Sequence, residues 1–474
     1  MHNTVNTTAQ LRQIDDLPGP RPWPLAGNLP QMRPSTIHQD VEAWARQYGP
    51  LFKIRFGRTP LLVVADHALV SAVLRDRPDG FRRPSITAAV SDEMGGRPGL
   101  FIAEGSAWRD QRRMVMTALA PHAVKAYFPS LVKVGLRLQQ RWQQAARNGS
   151  VIDLADDLKR YSVDVIAGLA FGTEVNTIDG GEDVIQRQMD IVLPAVARRS
   201  LALFPYWRYV KLPQDRQLDL SLAALNQAID KLVAAARTRL AAQPERRARP
   251  ANLLEAMICA ADEGGSGVDD AAVAGNVATM LLAGEDTTSN TLAWMLYLLH
   301  ENPTAMQRAR EEVQRSAPDP NAFTIEQMDG LDYLDACAQE AMRLKPVAPF
   351  IPLEALRDSA VGDVQVPKGG LLWCVMRNDS VADAWMPDAA DFKPERWLAG
   401  AEPAVNKQVS MPFGAGVRTC PGRYLALLEI KLASAMLLSS FEIHAIGTVN
   451  CAAPQELAGF TMSPIGLQMR LQHS

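Results

Sequence analysis

The segment Phe413-Gly414-Ala415-Gly416-Val417-Arg418-Thr419-Cys420-Pro421-Gly422 sets one cysteine among glycines, an arginine and a proline. The pattern predicts a loop that runs into a helix beginning at about Cys420. Backbone N–H groups at such a junction have no helical partner. Aimed at a sulfur, and aided by the positive end of the helix dipole, they stabilise a thiolate. The glycines permit tight turns and the close approach of a flat ligand. Arg418 offers a cation to an anionic group on that ligand. A lone cysteine is more often a packing residue. The spacing of Phe413, Gly416, Arg418 and Gly422 around Cys420 points instead to a ligand.

Three other groups have spacings that matter. Ala283-Gly284-Glu285-Asp286-Thr287-Thr288 places acid and hydroxyl in an otherwise apolar helix, where burial is costly unless they bond something. A Thr hydroxyl there can turn on its own helix carbonyl. A small pair followed by an acid and an alcohol suits proton delivery, and a helix–helix hydrogen-bond patch is the plainer alternative. Trp108 and Arg112 lie four apart, so the indole and guanidinium face the same way. Glu340 and Arg343 lie three apart on one helical face, with Pro394-Glu395-Arg396-Trp397 downstream.

The Cys420 segment resembles the haem-ligand loop of the cytochrome P450 family, matching FxxGxRxCxG at every fixed position. Glu340-Ala-Met-Arg343 is similar to that family's ExxR, Pro394–Trp397 to its PERF/PERW segment, Trp108–Arg112 to its WxxxR and Ala283–Thr288 to its AGx(D/E)T(T/S). The resemblance runs from about Leu17 to about residue 470. It implies haem b with Cys420 on the iron, and Trp108, Arg112, Ala283, Gly284, Phe413, Gly414, Arg418 and Gly422 around the cofactor. Gly284 is expected to let the cofactor and dioxygen near the backbone. Glu340, Arg343 and Arg396 are expected to form a structural network, and Asp286 and Thr287 to move protons. One departure is evident: where many relatives place a propionate-binding Arg, this chain has Leu353, with Arg357 four residues on.

The implied activity is insertion of one atom of dioxygen into a lipophilic small molecule, free or carrier-tethered, by hydroxylation or epoxidation. The substrate pocket is expected around Phe101, Ala283, Val347, Phe350, Ile351, Phe460 and Thr461. The aromatic run within Val192–Val210 reads equally as lid or core. Electrons are expected from NAD(P)H through a reductase and a ferredoxin or flavodoxin-type donor, docking near Arg109, Arg113, Arg423 and Lys431. The alternatives are a peroxide-driven peroxygenase, a non-redox enzyme on the same haem, and a non-catalytic haem sensor. The intact Asp286–Thr287 pair argues against them.

The elements that must position these residues are mostly helical. Apolar residues recur at three and four positions from about residue 106 to 345. A long helix is predicted over Val268–His300, a last helix over Cys420–Leu438, and a first over Thr36–Tyr48. Leu51–Phe56 and Leu61–Val64 read as a hairpin turning at Gly57–Pro60, and Leu353–Arg357 and Leu371–Val375 as further strands. The fold class is therefore mainly α with small β-sheets. Residues 1–16 are expected to be a flexible N-terminus and 17–474 a single haem domain. Of 474 residues 47% are hydrophobic and 21% charged, and the net charge is −3. These values exclude wholesale disorder and a basic nucleic-acid surface. Five scattered cysteines with no CxxC argue against a disulfide framework or zinc site. With no long apolar run, a monomeric cytoplasmic protein without membrane anchor is expected.

Overall fold

A computed structural model describes residues 11–97, 99–172, 176–180, 184–200, 202, 204–401 and 406–473. The helix Asp270–Glu301 runs through the core. The side chain of Asp269 caps it by accepting from the Ala272 amide at 2.7 Å, which satisfies a donor the helix leaves free. Buried apolar residues lie all around its second half, Leu292 to Leu299, because helices surround it. Leu154–Phe171 packs along it, and Asp332–Leu344 and Arg423–Ser440 lie against it. These elements share one apolar cluster with Pro121–Asn148, in which Leu131, Trp142, Leu158, Leu292, Leu334 and Leu432 are almost fully buried. Each such leucine stabilises the fold by roughly 1.5–3 kcal/mol.

The largest sheet has five strands in the order Leu51–Phe56, Thr59–Val64, Leu371–Val375, Phe350–Ala355, Phe81–Arg82. Phe56 pairs with Thr59, so the hairpin turns on Gly57-Arg58 alone and Pro60 belongs to the strand. Alternation along the strands builds two apolar faces. Ile54, Leu61, Val63 and Trp373 pack with the helix Ile37–Tyr48, and Leu62, Val64, Leu353, Leu372 and Cys374 form the opposite face.

The mainly helical class with small sheets holds, and the long helix lies within two residues of its predicted ends. Two boundaries move. The last helix begins at Arg423, so Cys420 sits in the loop ahead of it. Residues 11–16 are not a loose tail: Arg12–Gln13 pairs in parallel with Val364–Val366, Arg12 binds Asp363 at 2.7 Å, and Ile14 is buried. Residues 1–10 lie outside the described residues. Among the described residues no helix is long and apolar enough to cross a membrane.

Candidate active site

The Cys420 loop depends on backbone conformations that only glycine adopts readily. Gly414 and Gly416 have φ of 75° and 72°. A β-carbon on Gly416 would also lie 2.8 Å from the Arg75 Cα, so the loop rests directly on the backbone of the helix His67–Arg75. The loop closes on itself where the Cys420 amide donates to the Phe413 carbonyl at 2.9 Å. Burial pushes the Cys420 thiol pKa up, while the Gly422 amide, hydrogen-bonded to the sulfur, and the charge of Arg112 pull it down. Both of these favour the anion.

Arg112 donates to the Thr419 carbonyl at 2.7 Å, tying the helix Gly105–Ala118 to the loop. Trp108, one turn earlier on that helix, is buried under the Arg418 guanidinium, 4.4 Å above its ring. Arg418 also pairs with Glu104. Burial lowers the Arg418 pKa to about 10 and that of nearby Arg83 to about 9; in both cases neighbouring arginines add to the shift and Glu104 opposes it.

Behind the loop, Glu340 and Arg343 are fully buried and doubly bonded, at 2.7 and 2.8 Å. Arg396 joins Glu340 at 3.0 Å, and the Trp397 indole donates to it at 2.7 Å. Arg343 donates on to the carbonyls of Ser380, Ala389 and Asp391, and Arg396 to those of Pro387 and Asp388. Five carbonyls of an irregular segment are thus held by two guanidinium groups around one carboxylate, which is the fork geometry arginine supplies and lysine does not.

In the long helix, Thr287 Oγ1 donates to the Ala283 carbonyl at 2.6 Å, as its mid-helix position predicts. Ala283 is exposed there, and Asp286 and Thr287 are half-buried. Gly284 corrects the sequence-based expectation. A β-carbon on it would strike Ile166 at 2.5 Å, so the missing side chain makes room for the helix Leu154–Phe171, not for a ligand. Glu285 turns the same way and pairs with Lys159 at 3.1 Å.

Around the expected pocket, Phe101 and Phe460 meet with ring centroids 5.9 Å apart. Thr461 accepts from Asn290 of the long helix at 3.0 Å, and Met462 donates to the Val347 carbonyl at 2.8 Å. Ile351 packs toward the face that carries Met411 and Ala415 of the cysteine segment. Phe350 does not join them. It stacks on Trp373, 4.8 Å away on the opposite face of the sheet, because strand neighbours alternate.

The cytochrome P450 family profile matches residues 17–471. The chain belongs to the cytochrome P450 family. Similar proteins include cytochrome P450 3A29 of Sus scrofa, 28% identical over 90% of this chain and 85% of the relative. A cytokinin hydroxylase of Arabidopsis thaliana is 26% identical over 89% and 85%. The chain spans 68% of Protein LUTEIN DEFICIENT 5 of the same plant and 40% of the self-sufficient cytochrome P450 monooxygenase CYP505E3 of Phanerodontia chrysosporium. The crystal structure of a cytochrome P450DA heme domain superposes with a TM-score of 0.84, at 24% identity and covering 98% of each chain.

This P450 is a monooxygenase, and its family implies a haem-thiolate iron and dioxygen. The residues present fit an anionic, planar cofactor. Among the described residues, Arg418 Nε and Nη1 and Arg77 Nε are buried with no hydrogen-bond partner, beside a loop built round a thiol. The strand Phe350–Ala355 contributes no cation: Leu353 is buried in an apolar cluster, and Arg357 binds Asp76 at 2.8 Å at the surface. Arg109 and Arg113 are exposed and paired with Asp79 and Asp110, and Arg423 covers the Phe413 ring. Lys431 is buried in the last helix and cannot meet a docking partner. The Val192–Val210 run divides: Trp207 is buried with its indole on Glu93, whereas Phe204 and Tyr209 are exposed and stacked on each other. Leu203 of that run lies outside the described residues. Arg77, Arg83 and Glu104 carried no spacing signal, and only the fold brings them to Arg418.

Proposed function

We propose that this P450 hydroxylates or epoxidises a lipophilic small molecule on haem b held through Cys420. The cradle of Cys420 carries the proposal: the Gly422 amide reaches its sulfur and the Arg112 charge lies near it. Bound haem supplies the activation of dioxygen and the transfer of its atom. Trp108, Arg112 and Arg418 orient the cofactor edge, and Phe413, Gly414 and Gly422 shape the loop under it. Thr287 Oγ1 holds a proton position on the exposed turn at Ala283, and Asp286 supplies protons to it from the next residue. Phe101, Val347, Ile351, Phe460 and Thr461 line an apolar pocket that orients substrate and excludes water. Electrons come from outside this domain. The proposed donor is a ferredoxin or flavodoxin-type protein whose reductase draws on NAD(P)H, docking near Arg109, Arg113 and Arg423.

The test is spectroscopic. Cys420→Ala abolishes the strongly red-shifted band of the reduced carbon monoxide complex, and survival of that band refutes the ligand assignment. A library of lipophilic compounds screened for the haem spin-state shift then defines the substrate. Product formed with peroxide alone, but not with a donor system, would favour the peroxygenase reading.

A further inference from the structure

Three arginines from two distant parts of the chain gather beside the Cys420 loop with one carboxylate among them. Arg77 and Arg83 precede the helix Gly105–Ala118 in the chain, and Arg418 lies in the loop itself. Each is close enough to the other two, and to Glu104, for their charges to interact. Glu104 is paired with Arg418, and from Arg83 it accepts the backbone amide, at 3.4 Å.

The remaining donors are not matched. Arg77 is 7% exposed, makes no hydrogen bond or ion pair among the described residues, and has its Nε buried. Arg83 spends Nε on the Phe101 carbonyl at 2.7 Å, and its terminal amino groups have no hydrogen-bond partner among the described residues. Its guanidinium lies 3.4 Å from the Phe101 ring centroid, which recovers about 0.5–2 kcal/mol. Leaving a buried charge unpaired costs more than that. The neighbouring Arg82 shows what a satisfied arginine looks like here: it reaches Glu354 at 2.6 Å.

We propose that Arg77 and Arg83, together with Arg418, bind the propionate carboxylates of the haem, and that they do the work that the strand at Leu353 leaves undone. Two propionates bring two negative charges to a cluster in which one carboxylate faces three guanidinium groups. Planar forks paired with carboxylates form the strongest hydrogen bonds available to side chains. The inference rests on the haem reading of the Cys420 loop.

The test measures haem retention. Arg77→Leu and Arg83→Leu each speed haem transfer to excess apomyoglobin by about tenfold to a hundredfold, the range for a hydrogen bond to a charged group. Arg77→Lys and Arg83→Lys, which keep the charge, recover part of the loss. The same proteins are then loaded with haem dimethyl ester, whose capped propionates cannot pair with a cation. Wild type and the leucine variants now release the ester at the same rate. Equal acceleration with haem and diester means that the arginines act only through the fold and overturns the proposal. So does unchanged haem release combined with a lost spin-state response to a long-chain carboxylate, which assigns the cluster to substrate. A protein that takes up haem and shows the red-shifted band yet fails these tests leaves the haem reading standing. One that takes up no haem refutes both.

Discussion

A β-carbon at position 284 has no space, since the Ile166 side chain lies 2.5 Å from where it would be. Gly284→Ala is therefore expected to destabilise the fold by about 1–3 kcal/mol through overpacking. A lowered melting temperature is the expected result, and the drop caused by Gly284→Ala should be smaller when measured in an Ile166→Ala background; an unchanged melting temperature would mean that the two helices yield. Thr287→Ala tests chemistry at the same scale. It should leave haem content and NAD(P)H consumption near normal while product falls and peroxide rises, and unchanged coupling would remove the hydroxyl from proton delivery. Residues that act through local spacing were legible in the sequence. Glu340 and Arg343 sit three apart, Trp108 and Arg112 four apart, and Cys420 in a fixed loop. The direction of Gly284 was not legible, because it depends on which helix packs there. Nor were Arg77, Arg83 and Glu104, which meet only through tertiary folding.

At the scale of elements, the last helix is covered on nearly all sides, with every residue from Leu428 to Leu438 buried. That is why Lys431, plausible as a docking cation, is buried. Strand parity decides Phe350 in the same way: the strand's extent was predicted to within three residues, but its face follows from pairing with Leu371–Val375. The segment behind the cysteine loop has little regular structure, so side chains must hold it. Glu340 binds Arg343, Arg396, Trp397 and the Lys393 amide at once. Glu340→Gln keeps the shape and removes the charge, leaving two buried guanidinium groups without their anion. The expected cost is roughly 3–5 kcal/mol. It should appear as a drop in melting temperature and faster haem release with little change in helix content by circular dichroism. If the melting temperature holds, the carbonyls around the two arginines suffice to lock the segment.

For the whole molecule, two carboxylates make stability depend on pH in opposite ways. Burial alone would raise the Glu456 pKa, but His38, Arg377 and Lys345 surround the carboxylate at 2.6–2.9 Å and hold it well below its ordinary value. Its contribution is complete above the unfolded pKa, near 4.5, and fades as pH falls below that. Glu429 is buried in the last helix with Oε2 unpartnered among the described residues, and burial raises its pKa well above 4.5. The unfolded chain releases this proton above pH 4.5 while the folded chain keeps it. Stability is therefore lost as pH rises from 4.5 toward the folded pKa, by at most about 1.4 kcal/mol per pH unit. The two substitutions separate the effects. Glu429→Gln should gain in melting temperature relative to wild type, and the gain should widen from pH 5 to pH 8. Glu456→Gln should lose in melting temperature at every pH in that range, because Arg377 and Lys345 keep their charges and wild-type Glu456 stays ionised. A gain for Glu429→Gln that does not change with pH would mean that Glu429 is ionised in the folded protein, with a cation or water at Oε2.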